Sequence, residues 1–311
     1  MISPQVSVIT LAHNRRENVA ELLCSLRRQS YEPFEVILID NNSDDGTASM
    51  VKEDFPEVNL IELEDNLGTV AYNHGLICAK GKYLAIIDDD GLPGDENWIQ
   101  QIVECFDGNP LLGVVCCNVR MRDTGLIAHD SPQFIPERRV SGGYPAVAFN
   151  GTGAGLRAEA LSEVGFFNQG YFMMYLELHL CTRLLDAGWE VRHFPAIEVW
   201  HSRPSGSSYP AMSFFGLRNY YWYVWEFYPC PMAILETLHE ISSRLKLVIR
   251  GELPLRSLIN ASFSAIREGS HIIRSRKPVS SEVLAYLRSV RHWGNQHGLA
   301  AKHRQYSSRN T

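Results

Sequence analysis

Tyr83-Leu84-Ala85-Ile86-Ile87-Asp88-Asp89-Asp90-Gly91 is the stretch on which the reading of this chain depends. Five apolar or aromatic residues in a row predict a buried strand, and that strand delivers three carboxylates in succession to its end. Adjacent carboxylates repel one another and cost free energy unless a cation sits between them. In an extended chain Asp88 and Asp90 point to one side and Asp89 to the other, so Asp88 and Asp90 are expected to share an ion. Hard oxygen ligands at such a rim suit Mg2+ or Mn2+; the alternative is a solvated acidic turn or a helix cap.

Towards the N-terminus, short β-branched runs alternate with amphipathic segments: VSVITL (6–11), ENVAELLCSLRRQ (17–29), FEVILID (34–40), GTASMVKEDF (46–55), VNLIEL (58–63) and TVAYNHGLICAKG (69–81). Strand and helix periods that trade places in this way predict a parallel, doubly wound α/β sheet. Ligands of such sheets bind beyond the carboxyl ends of the strands. The polar clusters where each apolar run stops, Thr10 to Arg15, Asp40 to Gly46, Asp65 to Gly68 and Asp88 to Asp90, are therefore expected to meet at one rim. Towards the C-terminus, 121–150 reads as a long connection. A helix follows at RAEALSEVG (157–165), then an aromatic turn FFNQGYFMMY (166–175), a helix LELHLCTRLLDAG (176–188) and strands at WEVRHF and IEVWH. From Ser213 onward the pattern is helical, with breaks at prolines 229, 231, 254 and 278.

With 311 residues, 45% of them hydrophobic, the chain can bury a substantial core. The apolar opening is followed at once by His13, Asn14, Arg15 and Arg16, which is not a signal-peptide pattern, so a cytosolic location is expected. Seven cysteines without a CxxC pair read as free thiols in the core rather than staples or a zinc site. The net charge of -6 conceals an asymmetry: residues 241–311 carry 13 Lys/Arg against Glu252, Glu268 and Glu282, a net of +10. A basic tail of this kind, following the aromatic run Tyr220 to Tyr228 and containing Arg274, Arg276 and Lys277, suits peripheral contact with anionic lipid at the inner face of a membrane. It equally suits a solvated face that balances its own acidic body. No apolar stretch is long enough to span a bilayer, and no recognised nucleic-acid motif is present.

The succession VSVITLAHNR, VILIDNNSDDGT, DNLGTVAYNHG, YLAIIDDDGLP and GYFMMYLELHLCTRLLDAGWEVRHFPAIEVWH resembles the family 2 glycosyltransferases, above all bacterial rhamnosyl- and galactofuranosyl-transferase-like members, over about residues 4 to 230. The resemblance implies a GT-A fold, here a doubly wound mixed sheet with a C-terminal helical extension, and inverting transfer from a UDP- or dTDP-sugar to a hydroxyl acceptor, whether a glycan, a lipid-linked saccharide or a natural product. It implies a catalytic body at 1–212, with a nucleotide half of about 1–120 and an acceptor half of about 121–212, and a basic helical region at 213–311. It further implies that Thr10, Asn14, Arg15 and Asp89 lie near the nucleotide, that Asp40 reads its base, and that Asp88 and Asp90 form the DXD-type metal motif. His201 would be a further ligand of the Mn2+ or Mg2+ ion, and a later acid the base.

The residues themselves leave choices open. Asp40 can accept the imide N–H of uracil or thymine, or it can simply cap the NNSDDG turn. Asn66-Leu67-Gly68 either turns N–H groups of the following helix towards phosphate or serves as a structural turn. Arg15 either meets the pyrophosphate or only opens a helix, and His201 is either a ligand or a structural histidine. One departure from the family pattern stands out: Leu176-Glu177 and then His179 occupy the place of Glu-Asp with a further Asp two positions on. The base then falls to Glu177, with His179 as competitor. The same departure makes a catalytically impaired sugar-nucleotide or glycan-binding protein the rival reading. Gly151-Thr152-Gly153-Ala154-Gly155 is no dinucleotide loop, because its last glycine comes one residue early. A nucleotidyltransferase would open with a glycine-rich, basic phosphate loop where this chain has ITLAHNRRE.

Overall fold

The computed structural model describes residues 5–128, 142–202 and 209–289. Parts of the expected 121–150 connection and of the basic tail thus lie outside the described residues. Nine strands form one mixed sheet. Strands β1 (Val6–Ala12), β2 (Phe34–Asp40), β3 (Asn59–Glu62) and β4 (Tyr83–Ile87) run parallel in the order β3-β2-β1-β4. Beyond β4 the sheet continues with β8 (Gly153–Arg157), antiparallel to its neighbours, then β6 (Leu112–Met121), β9 (Glu190–His201) and the short β5 (Gly91–Pro93). β7 (Tyr144–Pro145) pairs with β9 outside this path.

Strand alternation feeds two apolar layers. Val6, Val8 and Ala12 of β1 face α1 (Arg16–Leu26), α2 (Thr47–Asp54) and α4 (Trp98–Asp107), while Ile9 faces α3 (Tyr72–Cys78), α5 (Ala158–Val164) and α6 (Leu176–Asp186). In α1 the buried Val19, Leu22, Leu23 and Leu26 recur at helical spacing, which is why that segment forms a helix and which face it buries. The second layer is continuous with the C-terminal helices α7 (Tyr209–Phe227), α8 (Cys230–Ile249), α9 (Leu255–Glu268) and α10 (Ser270–Arg274), through Tyr220, Tyr223 and Phe227. Pro229 and Pro254 stand at the N-caps of α8 and α9, as the break pattern predicts.

The glycine-rich segment runs into the sheet: Gly153, Ala154 and Gly155 open the central strand β8, and Gly153 and Gly155 are there for space. A Cβ on Gly153 would lie 2.5 Å from Val199 Cγ2, and one on Gly155 would lie 2.6 Å from Ile102 Cγ2. Against expectation, not all the cysteines belong to the core: Cys116, Cys117 and Cys181 are buried, but Cys24, Cys78 and Cys230 are exposed.

Candidate active site

The four polar clusters do meet at the carboxyl edge of β1, β2 and β4. Asn41, just past β2, donates from Nδ2 to Asn66 Oδ1 (2.9 Å), accepts the Leu67 N–H (2.9 Å) and gives its own N–H to Ala12 O (2.8 Å). His13 Nδ1 lies 3.0 Å from Asn41 O, and the His13 N–H approaches Asp89 Oδ2 at 3.4 Å. Asn14, at φ 54, braces the neighbouring loop: its N–H donates to Ser43 Oγ (3.0 Å), and its Oδ1 accepts the Asp44 N–H (2.8 Å). Asp40 Oδ1 accepts the Ser43 N–H at 3.1 Å, so Asp40 caps its own turn.

The acid turn departs from simple alternation. Gly91 N–H bonds to Asp88 O (2.9 Å), so the chain turns at Asp88 to carry β5 across to β9. Asp89 and Asp90 consequently both reach Arg15, Asp89 at 2.8 Å, instead of pointing apart. The β5–β9 pairing sets His201 opposite Gly91, and its Nε2 lies 3.3 Å from Asp90 Oδ1. Asp88 accepts the Tyr72 O–H at 2.9 Å. Burial, reinforced by repulsion from Asp90 and Asp89, pushes the Asp88 carboxyl up to about 7. Burial also lifts Asp89 to about 7, against the pull of Arg15. For Asp90 burial acts upward too, but the His201 hydrogen bond and Arg15 outweigh it and hold the carboxyl below its usual range. Two buried acids on one guanidinium, with a half-buried third beside them, are short of positive charge, and carboxylates beside an imidazole fit a hard divalent cation. Among the described residues no three such side chains already converge on one point.

Glu177 approaches the same space from the other side. An imagined Cβ on Gly151 would lie 3.3 Å from Glu177 Oε1 and 3.7 Å from both carboxylate oxygens of Asp88, so the two acids share the gap over one glycine. The turn that aims Glu177 is strained: Met174 (φ 66) and Tyr175 (φ 72) are both left-handed just before α6. Asn219 of α7, fully buried, holds that turn by donating Nδ2 to Met173 O (2.7 Å) and Met174 O (3.0 Å). His179 faces away into the core, where its Nε2 meets Glu226 Oε2 at 3.0 Å and burial lowers its pKa.

Thr10 is fully buried on the α1 side of the sheet, and its Oγ1 has no hydrogen-bond partner among the described residues. The N–H groups around Asn66 and Gly68 are already engaged: Leu67 bonds to Asn41 Oδ1, Gly68 to Asn66 Oδ1 (2.9 Å) and Thr69 to Phe172 O (2.8 Å). That loop is a structural latch against the aromatic turn. The sequence reading missed His13, Asn41, Tyr72, Gly151 and Asn219. Tyr72 and Asn41 sit within the quoted motifs, but nothing local marks Gly151 or Asn219. A surface cavity of about 490 Å³, lined by Arg28, Pro93, Arg122 and Trp200 among others, does not include the acid turn.

A mixed sheet with an acid turn at its carboxyl edge, a facing carboxylate and C-terminal helices is the architecture of the GT-A glycosyltransferases. The profile of glycosyl transferase family 2 matches residues 7–165, and the chain belongs to that family. An uncharacterized glycosyltransferase of Haemophilus influenzae is 36% identical over 110 residues, 34% of each chain. The N-acetylglucosaminyl-diphospho-decaprenol L-rhamnosyltransferase of Mycobacterium tuberculosis is 24% identical over 234 residues, covering 63% of this chain and 75% of its own. The solved mannosyltransferase PcManGT of Pyrobaculum calidifontis, in complex with GDP-Man and Mn2+, superimposes with a TM-score of 0.60 at 20% identity, over 99% of this chain and 84% of its own. The chain spans about a third of the length of several of the curated relatives it matches.

Proposed function

We propose that the protein transfers a sugar from a UDP- or dTDP-linked donor to a hydroxyl acceptor with inversion at the anomeric carbon. The observation that carries this reading is the gap over Gly151, flanked by Glu177 on one side and by Asp88 of the acid turn on the other. An inverting displacement needs a base on the face opposite the leaving diphosphate, and Glu177 is the acid we assign to it. It takes the proton as the acceptor oxygen bonds to the anomeric carbon and the bond to the diphosphate breaks. Asp88, Asp90 and His201 would hold a Mn2+ or Mg2+ ion, which when bound neutralises charge growing on the leaving group. Tyr72 fixes Asp88 through its O–H, and Arg15 sets a positive group beside the diphosphate side of the turn. Asp40 has a second carboxylate oxygen for the imide N–H of uracil or thymine. The relative from Mycobacterium tuberculosis, whose name places a diphospho-decaprenol in its acceptor, supports a lipid-linked acceptor here.

Thermal stabilisation by a nucleotide panel, with and without Mn2+, tests the donor half, because a ligand that binds the native state raises apparent stability. UDP or dTDP should stabilise, and more strongly with Mn2+. The carboxylate of Asp40 also suits the N1–H of guanine, so GDP belongs in the panel. Stabilisation by GDP alone would overturn the donor assignment. Donor binding without turnover on any hydroxyl acceptor would favour the catalytically impaired binding protein.

A further inference from the structure

The sequence suggests an aromatic surface at Tyr220 to Tyr228 beside basic residues, but those aromatics are core: Tyr220, Trp222, Tyr223 and Phe227 are buried in α7. Arg276 is engaged with the Trp225 carbonyl (2.8 Å) and that of Tyr228, at the C-terminal end of α7. The exposed apolar surface is instead aliphatic and lies on α8 and α9. On α8, Ile234, Leu238 and Leu245 follow one helical stripe with the half-buried Ile241, while Leu235 is 66% and Ile249 84% exposed. On α9, Leu255, Ile259, Phe263 and Ile266 repeat the pattern, Ile266 being 82% exposed. A cavity of about 320 Å³ opens between the two stripes, with Trp222 and Trp225 on α7 and Ile241, Ala265, Ile266 and Ile273 around it. The indoles beside it are already used: Trp225 Nε1 donates to Thr237 Oγ1 (3.0 Å), which donates to Ala233 O (2.8 Å), and Trp222 Nε1 donates to Ala265 O (3.0 Å). Tyr221, Ser262 and Ser270 add hydroxyls to an otherwise apolar lining, and no charged side chain lines it. The groove therefore offers a hydrocarbon chain a mostly apolar seat and a charged ligand no partner.

Charge decides what covers this face. Lys246, Arg250, Arg256, Arg274 and Lys277 are exposed on these helices and the segment after them. The acids there are mostly engaged: Glu236 with Tyr220, Glu240 with Arg244, and Glu268 with Arg218 and Arg267. A second copy docked face to face would set this cationic surface against itself. Residues 290–311 add Arg291, Lys302, Arg304 and Arg309 with no acid, so the chain's own tail is a poor cover too. We propose that the α8–α9 face docks on an anionic lipid bilayer and that the groove seats one hydrocarbon chain from it, acyl or isoprenoid. No described helix is long and apolar enough to cross a membrane, so the face lies on the bilayer. Trp222, on the groove, packs 5.7 Å from Tyr171, which belongs to the aromatic turn leading to Glu177. A chain held there lies behind the acceptor side of the site. That link to an acceptor rests on the proposed sugar transfer; the docking does not.

The test uses the full chain and phosphatidylcholine vesicles with and without phosphatidylglycerol. Co-sedimentation should require phosphatidylglycerol and weaken with salt. Phe263→Glu with Ile266→Glu, both at exposed positions, should lower partitioning on the order of tenfold or more. Ile249→Ser, outside the groove, serves as a second variant and should weaken docking less. Bromine-labelled acyl chains should quench tryptophan fluorescence, and Trp225→Phe should reduce that quenching. Protein left in the supernatant under all conditions, or undiminished binding by the double variant, overturns the docking face. A dimer in light scattering that dissociates on these substitutions gives the face to a second copy and overturns the bilayer. Vesicle binding without quenching overturns the chain seat. Nucleotide-dependent thermal stabilisation, measured on every variant, reports the donor site separately, so failure of the proposed reaction and failure of docking give different results.

Discussion

Glu177 and His179 stand two residues apart on α6 and face opposite surroundings, one the gap over Gly151 and the other the core against Glu226. Glu177→Gln should lower kcat by about 10²–10⁴ while donor affinity stays nearly unchanged, as single-turnover kinetics and nucleotide titration would establish. His179→Ala should leave that rate largely intact and lower stability by about 1–3 kcal/mol or more, since it strips the buried Glu226 carboxylate of a hydrogen-bond partner. The reverse pattern would move the base to His179. The acids of the turn carry a pH signature. Asp88 and Asp89 sit near 7 in the fold, against about 4 in an unfolded chain. Between those values the folded state binds more protons, so this contribution to stability is complete below about 4 and is lost as pH rises through 7. Thermal melts in EDTA should therefore show the midpoint falling from pH 6 to pH 8, with added Mn2+ reducing the fall and Asp88→Asn flattening it. Parallel slopes for wild type and Asp88→Asn would contradict the assignment.

Between residue and molecule, whole elements act as levers on the site. Asn219 on α7 clamps two carbonyls of a turn whose residues hold positive φ, and that turn sets the first residues of α6. Asn219→Ala removes a buried donor from two part-exposed carbonyls, which should cost about 1 kcal/mol or more in urea unfolding. It should also lower kcat more than it weakens donor binding, because it acts on the Glu177 side alone; an equal effect on both would make Asn219 only a core residue. The latch at Gly68 links the opposite halves. Gly68 has φ 68, and a Cβ there would come within 2.3 Å of Phe172 O. Gly68→Ala should therefore push the 65–68 loop off the aromatic turn and lower the thermal midpoint, with the donor-induced shift reduced as well. β8 shows why one element escapes a sequence reading: in Gly153–Arg157 the glycines that let neighbours close in also remove the β-branched signal of a strand.

For the molecule as a whole, the sequence by itself determined the alternating α/β pattern, the helical C-terminal region, the rim where ligands of such sheets bind, and the family; that β8 runs antiparallel and makes the sheet mixed was not legible in the periods. These follow from local periods, from punctuation by Gly, Pro and Asp, and from the order of motifs, all of which can be read without knowing any long-range contact. The clustering of 10–15, 40–46, 65–68 and 88–90 was legible for the same reason, since each marks the end of a parallel strand. Tertiary structure alone decided which side chains face the gap. The turn after β4 puts Asp89 and Asp90 together on Arg15, because the chain must leave β4 for β5 on the far side of the sheet. Thr10 is buried because its side of β1 packs against α1, and His201 reaches Asp90 because β9 pairs with β5. The aromatics of α7 are interior and the aliphatics of α8 and α9 are exterior, because α7 is enclosed by the helices that follow it. Burial, strand order and helix packing are properties of the assembled chain, and no local window of residues contains them.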